Sequence, residues 1–211
     1  MKTTLSLVCV FASALMLSVV PALGQFSLDE IEASVGKLSD EMGRVDALLG
    51  DTDPNKRLAA MDMLIKSGNA DYATRAREVG LFSSDKQMQR RALAAVFDAG
   101  GPFRFDIPLT GVAEDATRIR AYIKNWNTGV LRDNESVGQF LLYTAPFDEG
   151  KQCWTYKTSS SCAVTPTGEQ YVFTDGSSFV GSFKLMPDAT LAGEGSYRGN
   201  KTVSFVVNLV E

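Results

Sequence analysis

The feature that most restricts the fold is an abrupt change of hydrophobic period at Gly100-Gly101-Pro102. Before it, apolar residues recur every three or four positions, as on one face of a helix. After it they alternate, as on one face of a strand. No helix continues through two glycines and a proline. The chain therefore reads as an α+β protein: a helical N-terminal part, then an antiparallel β-sandwich or barrel over residues 102–211. Phe103, Phe105 and Ile107 alternate with Arg104 and Asp106, and Val203, Phe205, Val207 and Leu209 alternate with Thr202, Ser204 and Asn208. Ile119, Ala121 and Ile123 alternate with Arg118, Arg120, Tyr122 and Lys124 as far as Trp126, which predicts a strand there too. Further runs at 139–144, 153–158, 170–174, 178–185 and 190–197 are parted by Asp148-Glu149-Gly150, Asp175-Gly176, Pro187-Asp188 and Arg198-Gly199-Asn200. Short strands at this spacing, with turn chemistry between them, make a sandwich or barrel, and the last four form a meander.

The helical part opens with a seam over residues 25–50. Leu28, Ile31, Val35, Leu38, Met42, Val45 and Leu49 follow at alternating spacings of three and four, the 3.5-residue period of a coiled coil. Ser27 and Glu30 stand at capping-box spacing, and Gly50 is a natural stop. Gly36 and Gly43 each cost about 1 kcal/mol relative to alanine inside a helix. Glu32, Glu41 and Asp46 flank the seam without basic counterparts, which does not favour a parallel homodimer. Two outcomes stand open: a homo-oligomer through residues 27–49, or packing of the stripe on the chain's own helices.

Residues 51–101 repeat. Asp53 to Gly68 aligns with Asp85 to Gly100: Ala60 with Ala92, Met61 with Leu93, Leu64 with Val96, Ile65 with Phe97. Each copy is an N-capped amphipathic helix closed by glycine, and Asp71 to Val79 between them forms another helix. The polar opening, arginine, small-residue stripe and closing glycine resemble a HEAT-like helical repeat over about residues 53–100. That resemblance implies stacked helix pairs that serve protein contacts. Two copies fall short of the roughly three that such arrays need, so this block must lean on the first helix or the following domain.

The first 24 residues have the pattern of a secretory signal peptide. Lys2 gives a positive start, Leu5 to Val20 are apolar, and Ala22-Leu23-Gly24 supplies small residues for cleavage. The apolar run is shorter than the ~20 residues a spanning helix needs, which argues against an uncleaved anchor, and no second apolar run is long enough to cross a bilayer, so no transmembrane segment is expected after cleavage. A periplasmic or secreted location follows. Cys9 leaves with the leader, and Cys153 and Cys162 remain as an even pair expected to form a disulfide. Closing that short loop stabilises by roughly 2.5–3 kcal/mol. Asn134-Glu135-Ser136 and Asn200-Lys201-Thr202 are glycosylation sequons.

Histidine is absent, which removes Ser-His-Asp and Cys-His catalysis and every imidazole-dependent metal site. Asp51-Thr52-Asp53-Pro54-Asn55 imitates the opening of a calcium loop, but Lys56 occupies the position that needs glycine, so Asp53 is read as a helix cap. No catalytic residue, cofactor or metal site is assigned. A net charge of −4 with interspersed signs gives no reason to expect nucleic acid. The most suggestive surface is the outward face of the 118–126 run, where Arg120, Tyr122, Lys124 and Trp126 align, with Trp154 and Tyr156 as extensions near the disulfide. Aromatic platforms beside long donors suit sugar rings or an anionic polymer. Alternatively the helical block covers that face and makes Tyr122 and Trp126 interface core. The reading that results is an exported, non-enzymatic binding or assembly protein. Its helices would make protein contacts and its β-domain would offer a ligand or docking surface, with a protein or glycan as partner. The alternative is a carbohydrate-active hydrolase working through paired carboxylates, which needs no histidine. Intact-mass spectrometry of the exported protein should find a chain starting near Gln25; a retained Met1 contradicts the leader assignment.

Overall fold

The computed structural model describes residues 27–110, 116–176, 178–198 and 202–209. The leader with Cys9 and Asn200 of the second sequon lie outside the described residues. The chain divides into two units, Met1–Asp40 and Glu41–Glu211. Helix α1 (Leu28–Leu49) begins in the first. Its capping box is reciprocal: the Glu30 amide donates to Ser27 Oγ (3.2 Å) and the Ser27 amide donates to Glu30 Oε2 (2.9 Å). The Ser27 amide, and then its hydroxyl donating to the same Oε2 (3.1 Å), hold the Glu30 carboxyl below its ordinary range. Leu28, Ile31, Val35 and Leu38 of the seam are exposed, whereas Val45 and Leu49 are buried and Met42 is half-buried.

Three helices follow within the second unit: α2 (Pro54–Ile65), α3 (Ala70–Leu81) and α4 (Lys86–Ala99). Asp53, Asn69 and Asp85 cap them, each accepting from the amide two residues on (2.9, 2.9 and 2.8 Å). Met61, Leu64, Ala76, Leu81, Met88, Ala92 and Leu93 form their buried stripe. Gly80 lets the helices approach closely, since a Cβ there would collide with the side chains of Met61 and Ala92. Arg57 reaches Asp85 (3.2 Å) and Arg91 pairs with Asp62, tying α2 to α4 at two points. Gly100 ends α4 in the left-handed region, φ 93°.

The remainder holds β1 (Phe103–Pro108), α5 (Ala116–Asn125), β2 (Val130–Arg132), β3 (Val137–Leu142), β4 (Thr144–Asp148), β5 (Cys153–Tyr156), β6 (Cys162–Thr167), β7 (Gln170–Thr174), β8 (Phe179–Leu185), β9 (Leu191–Tyr197) and β10 (Thr202–Asn208). All ten strands form one antiparallel sheet in the order β2-β3-β1-β10-β9-β8-β7-β6-β5-β4. Strands β4 to β10 are a continuous meander. The sheet is strongly curled. In a flat sheet β1 and β7 would stand four strand spacings apart, about 19 Å. Yet the rings of Phe105 and Phe173 lie 4.7 Å apart, and Phe140 on β3 reaches Phe173 at 5.9 Å. Phe105, Phe140, Phe173, Phe179 and Phe205 are fully buried and fill the concave side.

Helices close the two ends of this interior. At one end Phe97 of α4 meets Phe103, Trp154 and Tyr171 at 5.2, 5.1 and 5.9 Å. Thr144 Oγ1 donates to the Phe97 carbonyl (2.6 Å), and Asp98 accepts from Trp154 Nε1 (2.8 Å) and the Phe147 amide (3.0 Å). At the other end sits α5, where residues 118–125 are helical rather than a strand and Trp126 opens the following turn. Ile119, Tyr122, Ile123 and Trp126 also follow helical spacing, and burial decides between the two periods: Ala121 is exposed while Tyr122 is buried. Tyr122 stacks on Phe179 (5.9 Å) and meets Tyr197 (5.1 Å). Ile123 presses on Gly138 of β3, where any Cβ would collide with it. Truncation of the α4 stopper, Phe97→Ala, should cost about 3–5 kcal/mol in urea unfolding. Met63→Ala on exposed helix surface should stay within about 0.5 kcal/mol.

Candidate functional site

The six residues singled out from the sequence separate into three groups. Arg120 and Lys124 lie on α5 and bind the turn between β2 and β3. Arg120 donates to the Glu135 carbonyl through Nε (3.2 Å) and Nη2 (3.1 Å), and Lys124 Nζ donates to Glu135 Oε1 (3.0 Å). That turn holds Asp133, Asn134 and Glu135 at positive φ (51°, 54° and 63°), so the two cations secure a bent segment of backbone. Tyr122 and Trp154 are core residues. What covers Tyr122 is the mouth of the curled sheet, not the N-terminal helices.

Trp126 and Tyr156 do come together, their rings 6.4 Å apart. They line a cleft of about 350 Å³ with Asn127, Thr128, Tyr143 and Thr158. Three connections build it: the turn after α5, the single residue between β3 and β4, and the hairpin from β5 to β6. Thr128 fixes the first to the sheet, its hydroxyl accepting from the Leu141 amide (2.8 Å) and donating to the Leu141 carbonyl (3.0 Å). The Cys153–Cys162 disulfide, expected from the sequence, clamps the third, with Cα atoms 5.7 Å apart. Within that hairpin the Tyr156 amide donates to the Ser161 carbonyl (3.0 Å), and the Lys157 amide donates across to the Tyr143 carbonyl (3.1 Å). Tyr156 Oη donates to the Thr174 carbonyl (2.6 Å). Asn127, Thr128, Tyr143 and Thr158 carried no signal in the sequence; which strand ends meet depends on how the sheet closes.

A second cleft, about 470 Å³, is lined by Arg75, Glu78, Phe82, Asp188 and Leu209 among others. It holds an acidic pair of the kind the hydrolase alternative requires, Glu78 and Asp188, and neither is buried. Thr190 donates to Asp188 through its hydroxyl (2.7 Å) and amide (3.1 Å), which keeps that carboxyl below its ordinary range. A general acid needs displacement in the opposite direction. Glu78 faces Arg75 Nη1 (3.6 Å), whose Nε is bound to Asp46 (2.7 Å).

Among the described residues, no group of three or more His, Cys, Asp or Glu side chains is placed to hold a metal ion, and no helix is long and apolar enough to cross a membrane. No family model, curated protein or solved structure matches the chain.

Two phenols of the site region are strongly perturbed. Burial, then the neighbouring Asp175 carboxylate, push Tyr122 and Tyr156 well above the ordinary tyrosine range. The folded protein keeps protons that the unfolded chain releases near pH 10, so stability holds below that pH and falls as pH rises past it. Urea midpoints measured from pH 8 to 11 should show this loss, and Tyr122→Phe with Tyr156→Phe should reduce it. At pH 7 the two differ. Tyr156→Phe loses a hydrogen bond and costs about 1 kcal/mol, whereas Tyr122→Phe costs less, because its buried hydroxyl has no well-formed partner.

Proposed function

We propose that this protein is an exported, non-enzymatic assembly protein in which the N-terminal part of α1 pairs with the same segment of a second copy. The observation that carries this reading is the state of the seam. Leu28, Ile31, Val35 and Leu38 are 76, 46, 60 and 49% exposed, four successive seam positions on one helix face. An amphipathic helix in water normally covers such a stripe. Val45 and Leu49 continue the same pattern and are buried, so the heptad is divided between the fold and the surface.

The charges fit a second copy as occupant. The acids that oppose self-pairing belong mainly to the committed half: Glu41 accepts from Tyr72 Oη (3.2 Å) and Asp46 binds Arg75. Along the exposed half the flanking positions are Ser27, Glu32, Ser34 and Ser39, which carry one charge between them. Eleven residues of helix span only about 16 Å, so the association is weak and concentration-dependent. Export rests on the leader pattern together with the disulfide, which persists in oxidising compartments. The β-domain offers a ligand or docking surface to a protein or glycan.

Sedimentation of the mature chain over rising concentration tests this reading. The mass should climb from monomer towards dimer, while Ile31→Glu with Leu38→Glu remains monomeric at unchanged helicity. A wild-type chain that stays monomeric throughout ends the proposal.

A further inference from the structure

We infer that the cleft at the seam of the curled sheet binds an uncharged saccharide ring. This goes beyond the assembly reading and does not depend on α1. The lining chemistry carries it. Trp126, Tyr143 and Tyr156 put three aromatic rings around one opening, Tyr143 the most open at 38% exposure. Trp126 and Tyr156 are half-buried against the core, Trp126 4.6 Å from Phe140, so Tyr143 is the open ring for the C–H side of a pyranose. Beside them the Tyr143 hydroxyl, the Asn127 amide and the Thr158 hydroxyl make no hydrogen bond among the described residues, so donors and acceptors of both kinds stand ready for sugar hydroxyls.

Charge selects the class. None of the described residues that line the cleft is Asp, Glu, Lys or Arg; Lys157 stands between Tyr156 and Thr158 but is not part of the lining, and Arg120 and Lys124 are held by Glu135. A carboxylated or phosphorylated sugar would find no counter-ion in the lining itself. A purely apolar ligand would leave the three free polar groups dry and unpaired. Size selects one or two rings, because about 350 Å³ is near the lower end for small-molecule sites. The concave interior offers no competing volume, since phenylalanines fill it. The walls are set in advance, one by Thr128 on Leu141 and another by the disulfide, so little ordering is lost on binding.

Titration of the mature, oxidised protein with methyl glucoside and N-acetylglucosamine, followed by tryptophan emission and calorimetry, tests the inference. Trp154 is buried on Asp98, so the emission change should come from Trp126. Saturable binding of at least one neutral sugar is expected, with glucuronate and glucosamine weaker. Tyr143→Ala, an exposed change, should weaken binding about tenfold, and Arg120→Ala should leave it unaltered. No saturable binding of either neutral sugar, an unchanged affinity in Tyr143→Ala, or a preference for glucuronate would each overturn it.

Discussion

Leu142, Tyr143 and Thr144 are consecutive, yet the sheet places β3 next to one edge and β4 on the other. Eight strand spacings separate these strands along the sheet, about 38 Å if it lay flat. One intervening residue spans only a few ångströms. Connectivity alone therefore obliges the sheet to curl until its two sides meet at Tyr143. The right-handed twist of the strands supplies the tendency, and the chain fixes where it stops. The first half of this bent ribbon pairs with β1, and the second half with β5.

The aromatic content follows from that closure. A curled sheet of this size encloses a space that side chains must fill, and phenylalanine fills it with the most apolar area per residue. Phe105 stacks on Phe140 at 4.7 Å and on Phe205 at 5.5 Å, so rings from three adjacent strands form one layer. The ends then have to be sealed against water, and the helices do so with aromatic residues of their own, Phe97 from α4 and Tyr122 from α5. Neither helix is independent of the sheet. The chain in this region gains its stability from interlocking helix and strand, consistent with Glu41–Glu211 forming one unit.

Local chemistry was legible in the sequence; closure was not. Ser27 with Glu30, Asp53, Asp85 and Gly100 announced helix ends because capping is settled by nearest neighbours. Cys153 and Cys162 announced their bond because they are the even pair left outside the leader pattern, in a chain without histidine. The strand after Pro102 and the last four strands were readable from alternation. The 118–126 run was misread because Ile119 and Ile123 satisfy both a period of two and a spacing of four, and Ala121 is small enough to suit either face. Only the position of the mouth of the sheet decides in favour of helix, and that is a long-range property. The division of the seam was equally hidden: the heptad is regular from Leu28 to Leu49, and nothing local tells which half meets a core.

The same limit explains why Trp126 and Tyr156 were suspected for a reason that does not hold. Alternation puts Trp126 on a strand face with Arg120, Tyr122 and Lys124, and adds Tyr156 only as an extension near the disulfide. The two meet instead because a turn after α5 and the end of β5 both arrive at the corner where β3 becomes β4. At that corner the ladder changes partners, from β1 to β5, so regular pairing is interrupted and side chains can surround a space rather than cover a sheet. Elsewhere the curled sheet is either packed with phenylalanine inside or paired strand to strand. The corner combines an interrupted ladder, free polar groups and a disulfide-held wall. The residue that forces the closure, Tyr143, is also the most exposed of the three aromatic residues in the cleft, which ties the binding chemistry directly to the connectivity that shapes the fold.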